Sequence, residues 1–242
     1  MKRVAVMSGK GGVGKSYVAA CLAVSLHRAG HAVGVLDADV TGASIPRALG
    51  VPKGPRVSPE GRMIVGRSPG GVAVVSMSLL MPSDDRAVIW RGPLISRAIE
   101  QLYNDTDWED TEILVIDMPP GTSDAALTVL QTIAPDTIVA VSTPQDLVTT
   151  ISRKSQDLAG QIGVPLLGFV ENMAYLECPH CSERIELFGA SGEGRLTGAG
   201  ARLLARLPLV PEHAALADAG HLEDADLSAF DELTRTVEEA LG

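Results

Sequence analysis

Two groups of residues have types and spacings that could do chemistry. The first is "GKGGVGKS", Gly9 to Ser16, with one lysine early (Lys10) and one late (Lys15). Glycines let successive backbone N–H groups face one way and form an anion nest. The spacing is that of a phosphate loop. Gly9, Lys10, Gly11, Gly12, Val13 and Gly14 would wrap a polyphosphate, Lys15 would reach its β- and γ-phosphates, and the Ser16 hydroxyl would bind magnesium. ATP and Mg2+ are the implied cofactors. A Gly-rich turn that binds nothing is the bland alternative. Asp117 ends the apolar run "ILVIDM", as a carboxylate that holds magnesium through water should, and "PPGTSD" follows it as a turn near the γ-phosphate. "DAD" at 37–39 ends another apolar run. Asp37 is read as a magnesium contact and Asp39 as a group that orients the attacking water; strand-end capping is the alternative for both.

The second group is "ECPHCSE", with Cys178 and Cys181 at CxxC spacing. Two thiolates so placed can ligate one metal or cluster from one side. They supply only half of a four-ligand site, and the chain has no second CxxC. Two copies of the chain would complete the set. A redox dithiol and incidental surface thiols are the competing readings. A thioredoxin-type pair would start a helix after a strand, whereas this one falls in a polar loop. Cys21, in the apolar run "AACLAVSL", reads as a small buried hydrophobe.

These groups need a scaffold. Apolar runs at 3–8, 31–39, 71–77, 112–118, 137–143 and 166–172 read as strands, and helix-like segments fall near 15–29, 91–104, 124–133, 145–162 and 193–206. Alternation of this kind predicts an α/β fold, a mostly parallel central sheet flanked by helices on both faces. Its functional groups would gather at the carboxyl ends of the strands. Residues 50–70, rich in Gly and Pro, read as a surface excursion with one short strand. The tail "LSAFDELTRTVEEALG" reads as an acidic amphipathic helix on the sheet. No repeat or internal boundary interrupts residues 1–242, so one ATPase domain is expected.

Of the 242 residues, 45% are hydrophobic but only 3% aromatic, so Val, Leu, Ile and Ala must build the core. The net charge of −10 disfavours broad nucleic-acid or anionic-membrane binding. The N-terminal residues do not read as a secretory signal, and no apolar window is long enough to span a bilayer. A cytoplasmic location is expected.

The early lysine in "KGGVGKS" resembles the deviant Walker A loop of the MinD, ParA, arsenical-pump ATPase and nitrogenase iron-protein group of P-loop NTPases. The resemblance implies that Lys10 crosses a dimer interface to the partner's nucleotide; a solvated surface lysine is the alternative. That group usually has Thr or Ser where Tyr17 stands, so the usual hydroxyl contact to the α-phosphate is lost or rearranged. The ordered stretches "DADVTGASIPRALG", "VIWRGPLISRAIEQL", "VIDMPPGTSDAALTVLQ", "VSTPQDLV", "GFVENMAYLECPHCSERIELFG" and "LARLPLVP" resemble, more narrowly, the Mrp (ApbC) family of iron–sulfur cluster carriers. This implies slow ATPase activity and a labile 4Fe–4S cluster held between two subunits by Cys178 and Cys181 of each. It implies adenine recognition by Asn172 (otherwise a strand-end turn former). The implied partners are a second copy, a cluster-assembly scaffold and apo iron–sulfur proteins. "WRGP", residues 90–93, is equally a packing corner or a partner surface. A MinD/ParA-like positioning ATPase and a nucleotide-gated, zinc-bridged dimer are the alternative functions.

Overall fold

The computed structural model describes residues 1–39, 42–53, 57–59, 61–80, 92–108, 110–121, 124–145, 150–198 and 200–242. Trp90 and Arg91 of "WRGP", Thr122 and Ser123 of the "PPGTSD" turn, and Val40 and Thr41 after the "DAD" run lie outside the described residues. The strands are β1 (Lys2–Ser8), β2 (Val33–Asp37), β3 (Met63–Ile64), β4 (Gly66–Arg67), β5 (Ala73–Ser76), β6 (Thr106–Asp107), β7 (Ile113–Asp117), β8 (Thr137–Ser142), β9 (Leu166–Glu171), β10 (Leu176–Glu177), β11 (Arg184–Ile185) and β12 (Leu203–Arg206). The helices are α1 (Lys15–Arg28), α2 (Ile45–Ala48), α3 (Met77–Leu80), α4 (Gly92–Asn104), α5 (Asp124–Thr128), α6 (Thr150–Ile162), α7 (Glu193–Gly198), α8 (Pro211–Ala219) and α9 (Asp231–Leu241).

Eight strands form one sheet in the order β12-β9-β8-β1-β7-β2-β5-β4. Every pairing in it is parallel except β4 with β5 at one edge. Side chains alternate across each strand, and here both faces are covered. In β1, Val4 and Val6 join one apolar cluster with α1 and α9, while Ala5 and Met7 join a second with α4 and α6. This is why β1 reads as an unbroken apolar run rather than an alternating one. The expected parallel sheet with helices on both faces is what these residues build.

Three expectations need correction. The sequence pattern predicts a helix over 193–206, but α7 stops at Gly198 and Leu203–Arg206 is strand β12, paired in parallel with β9. Gly198 and Gly200 (φ 71°) punctuate the run, and the sheet edge offers "LLAR" backbone partners that a helix would forgo. The predicted helix over 124–133 passes into a π turn at Val129–Ile133 and stops at Ala134, which has φ 48°. The 50–70 excursion holds two short strands, β3 and β4, rather than one. The acidic tail does form α9; Leu233, Val237 and Leu241 on its apolar side are buried in the cluster that contains α1.

Candidate nucleotide and metal-ligating site

The carboxyl edge of the sheet gathers the groups singled out in the sequence. β1 leads into the glycine loop and then α1. Gly12 and Gly14 have φ of 82° and 81°, the left-handed region where a Cβ is strained. Gly14 is required on a second count: a Cβ there would sit 2.2 Å from Asn172 Nδ2. α1 has no side-chain cap at Gly14, so the N–H groups of its first turn are left to face the loop. Lys10 is exposed on the rim, and its carbonyl accepts from Ser8 Oγ at 3.0 Å. Gly121, in the turn after β7, donates its N–H to Ser8 O at 3.1 Å and closes the other side of the loop.

Lys15 is buried and lies among acids. Its Nζ is 2.5 Å from Asp117 Oδ1, 3.7 Å from Asp39 Oδ2 and 3.3 Å from Ser16 Oγ. Asp37 and Asp117 end adjacent strands in direct register, and neither is exposed at all. Burial pushes the Asp37 carboxyl well above its usual range, and the neighbouring Asp117 charge adds to this. Lys15 and the Ile45 N–H oppose the shift. Asp117 is raised too, again chiefly by burial, with Lys15 and Ser16 pulling the other way. Asp37, Asp39 and Asp117 thus lie within electrostatic reach of one another and of Lys15, a grouping of carboxylates that suits a divalent cation.

Among the described residues, the buried side-chain oxygens that make no hydrogen bond are Asp37 Oδ1, Asp117 Oδ2 and Asn172 Oδ1. Buried polar atoms are paired as a rule, and here the exceptions lie at one edge of the sheet. Magnesium with its water shell fits the two carboxylates, both negative and hard, and Ser16 beside them. Asn172, also buried, uses Nδ2 to hold Val13 O at 2.9 Å, leaving an acceptor for a ligand's N–H donor. Tyr17 behaves differently from the other loop residues. Its hydroxyl is 2.8 Å from His213 Nδ1 on α8, and its ring meets Phe230 edge-on at a centroid distance of 6.1 Å. Ser76, which the sequence places merely in a strand, ends β5 opposite Asp37 and donates to Asp37 Oδ2 at 3.3 Å. A hydroxyl at the end of an apolar strand beside the "DAD" strand was the available signal.

Cys178 and Cys181 stand apart from this cluster, on the turn of an antiparallel β10–β11 hairpin. Both thiols are free; Cys178 is half-buried and Cys181 exposed. The turn is closed by Ser182 N–H to Cys178 O at 2.8 Å and Cys178 N–H to Glu183 O at 2.9 Å, with Ser182 at φ 58°. Backbone N–H groups of His180 and Cys181 aim at the Cys178 sulfur and lower its pKa, so the thiolate form a metal needs is favoured. Arg184 lies 4.4 Å over the Tyr175 ring and 3.2 Å from Glu177, which fastens the hairpin stem. No group of three or more His, Cys, Asp or Glu side chains that could hold a metal occurs among the described residues. Within one chain the hairpin therefore presents two thiols and no further ligand group among the described residues.

The family description "ParA: NUBPL iron-transfer P-loop NTPase" matches residues 1–241. An iron-sulfur cluster carrier protein of Clostridium perfringens is 44% identical over 214 residues, 85% of this chain and 75% of that protein. One of Aquifex aeolicus is 39% identical over 219 residues, 90% of this chain but 60% of that protein. Among solved structures, a nucleotide-binding protein of Archaeoglobus fulgidus in complex with ADP superposes with a TM-score of 0.81 at 38% identity, covering 95% of this chain and 90% of the other. The cell division ATPase MinD of Pyrococcus furiosus superposes with a TM-score of 0.72 at 22% identity over 98% of each chain, a likeness of fold. With the family model covering nearly the whole chain and relatives near 40% identity beside it, the chain belongs to the ParA/NUBPL family of iron-transfer P-loop NTPases.

Proposed function

We propose that the protein is an ATP-hydrolysing carrier that takes a labile 4Fe–4S cluster between two copies of itself and passes it to apoproteins. The observation that carries this reading is the exposed CxxC hairpin, a half-set of thiolate ligands on a phosphate-loop fold. Two chains meeting hairpin to hairpin would supply four thiolates, the usual ligand number for such a cluster. We read residues 1–242 as one ATPase domain acting in the cytoplasm.

Bound Mg2+ would neutralise charge developing between the β- and γ-phosphates. The chain's own groups do the rest. Lys15 exchanges Asp117 for the phosphates when nucleotide arrives. The unpaired oxygens of Asp37 and Asp117, with the Ser16 hydroxyl, would hold the hydrated cation. Asp39 orients the attacking water. Asn172 Oδ1 accepts from the exocyclic amine of adenine, while Gly9 to Tyr17 supply backbone N–H groups. Lys10, on the rim, reaches across to the partner's nucleotide, as an arginine finger does. Hydrolysis is slow because few groups in the sequence look like a strong general base, and it is coupled to loading or release of the cluster. A membrane-positioning role fits less well: the α9 apolar face is already buried in the core, and the net charge is −10.

The test is anaerobic cluster reconstitution of the wild type and Cys178→Ala, followed by transfer to an apo-enzyme. The wild type should become coloured with one cluster per dimer and activate the acceptor; the variant should do neither. Wild-type transfer by the variant removes the carrier assignment. A colourless wild type with one tight zinc per dimer would favour a zinc-bridged dimer instead.

A further inference from the structure

Glu171 ends β9 with no exposed surface, yet it is neither at the phosphates nor on the hairpin. Its carboxylate accepts three hydrogen bonds. Arg206 Nε donates at 2.7 Å, the Gly192 N–H at 2.9 Å and Ser191 Oγ at 3.2 Å. The chain leaves the sheet at Asn172, builds the CxxC hairpin, and returns at Ser191 and Gly192. One buried carboxylate therefore closes the base of the whole excursion. Arg206 extends the clamp, because its Nη2 lies 3.4 Å from Glu186 Oε1 on the returning limb, just past β11. On the departing limb, the Leu207 N–H donates to Glu171 O and the Ala174 N–H to Leu207 O, each at 2.9 Å.

The other side of Glu171 faces the nucleotide end. Its neighbour Asn172 grips Val13 O of the phosphate loop at 2.9 Å, and a Cβ on Gly14 would strike that same amide. Phosphate loop, strand end and CxxC excursion are thus joined through two consecutive buried polar side chains. Burying an ionised carboxylate is costly unless its lone pairs are used and a cation is beside it. An apolar residue could end β9 without that cost. It could not tie the excursion's return to Arg206.

We propose that Glu171, acting with Arg206, is a positioning residue that fastens the CxxC hairpin to the phosphate loop, so that nucleotide occupancy sets the orientation and exposure of Cys178 and Cys181. A ligand that takes up the Asn172 amide moves the end of β9. Glu171 carries the shift to Ser191, Gly192 and, through Arg206, to Glu186. Two half-sites must meet within a fraction of an ångström to share four ligands, so a small rotation of the hairpin suffices to favour holding or release. The proposal rests on the carrier reading only for the identity of the cargo.

Alkylation of the reduced, metal-free protein by a maleimide tests it without any cluster. Cys21 is fully buried, so the rate reports on Cys178 and Cys181. Wild type, Glu171→Gln, Arg206→Met and Arg206→Lys are compared with and without Mg-ATP, with ATP affinity measured in parallel. Glu171→Gln keeps one acceptor oxygen and replaces the other with an amide donor, which must then face either the Arg206 guanidinium or the Ser191 and Gly192 donors. In the wild type, Mg-ATP should change the rate by about fivefold or more, the lower range of site-to-site coupling. Glu171→Gln and Arg206→Met should bind ATP as the wild type does but lose that response. Arg206→Lys, which keeps the charge, should regain part of it, which a general loosening of the fold would not predict. A folded, ATP-binding Glu171→Gln with wild-type rates and response overturns the proposal. Should that variant fail to fold, Arg206→Met decides, since Arg206 is one-third exposed and the Gly192 N–H and Ser191 hydroxyl still donate to the Glu171 carboxylate; an intact response there overturns it equally. A wild type with no nucleotide response also overturns it, even if reconstitution succeeds, while failed reconstitution sinks the carrier reading and leaves the alkylation result standing.

Discussion

Lys15 lies within 4 Å of both Asp117 and Asp39 and is the counter-charge hydrogen-bonded to the buried Asp117 carboxylate. Its removal leaves a fully buried carboxylate without its counter-charge. Lys15→Ala should stay folded but lose about 3 kcal/mol of stability, the usual cost of breaking a buried pair from one side. Its ATP affinity should fall by at least about tenfold, the worth of one charge-assisted bond; titration calorimetry showing unchanged affinity would undo the assignment of the loop. Asp37 gives the opposite sign. Burial raises its pKa, so the folded state prefers the protonated acid. Ionisation therefore penalises folding: stability falls as pH rises from the ordinary carboxylate range to the raised value and stays reduced above it. Asp37→Asn should raise the Tm of the nucleotide-free protein at neutral pH by about 2–4 °C, equivalent to about 1 kcal/mol. The same variant should lose the Mg2+ dependence of nucleotide binding. A lower Tm with normal Mg2+ response would contradict both halves.

Elements explain how a side chain as large as Tyr17 is accommodated in the first turn of α1. The first turn of α1 packs against α8 and the residues before α9, and the phenol fills that gap between His213 and Phe230. Burial pushes the Tyr17 hydroxyl far up, so it is protonated and donates to His213 Nδ1. Burial likewise lowers the His213 pKa below the ordinary imidazole value, against the opposing pull of Glu212 and Asp226. The folded state thus favours neutral His213. Stability from this contact is complete above about pH 6.5 and is lost as pH falls through the lowered value. Thermal melts of the wild type should show this decline on acidification, and His213→Gln should flatten it. An identical slope in both would show that the pair contributes nothing. The element the sequence misjudged, 193–206, lies at the sheet edge. Local periodicity could not tell a four-residue run that completes a helix from one that pairs with β9, because the deciding hydrogen bonds come from residues more than thirty positions earlier.

For the whole molecule, the hairpin and Lys10 are both exposed at positions where a second copy could meet them. Sedimentation velocity should show a dimer that strengthens with Mg-ATP, and Lys10→Ala should weaken that response while leaving the fold intact. A monomer at every concentration and nucleotide state would defeat the shared-site reading. The sequence by itself determined the phosphate loop, the parallel sheet and the incomplete thiol set. Glycine spacing, unbroken apolar runs and a single CxxC are local patterns, set by backbone geometry and burial over a few residues. Only the tertiary structure decided that Asp37 and Asp117 stand in register with one oxygen each unpaired, that Tyr17 turns toward His213, and that Glu171 closes the base of the CxxC excursion. Those facts depend on which strands lie side by side and how deeply their ends are buried. Long-range pairing sets both, and a one-dimensional pattern does not contain it.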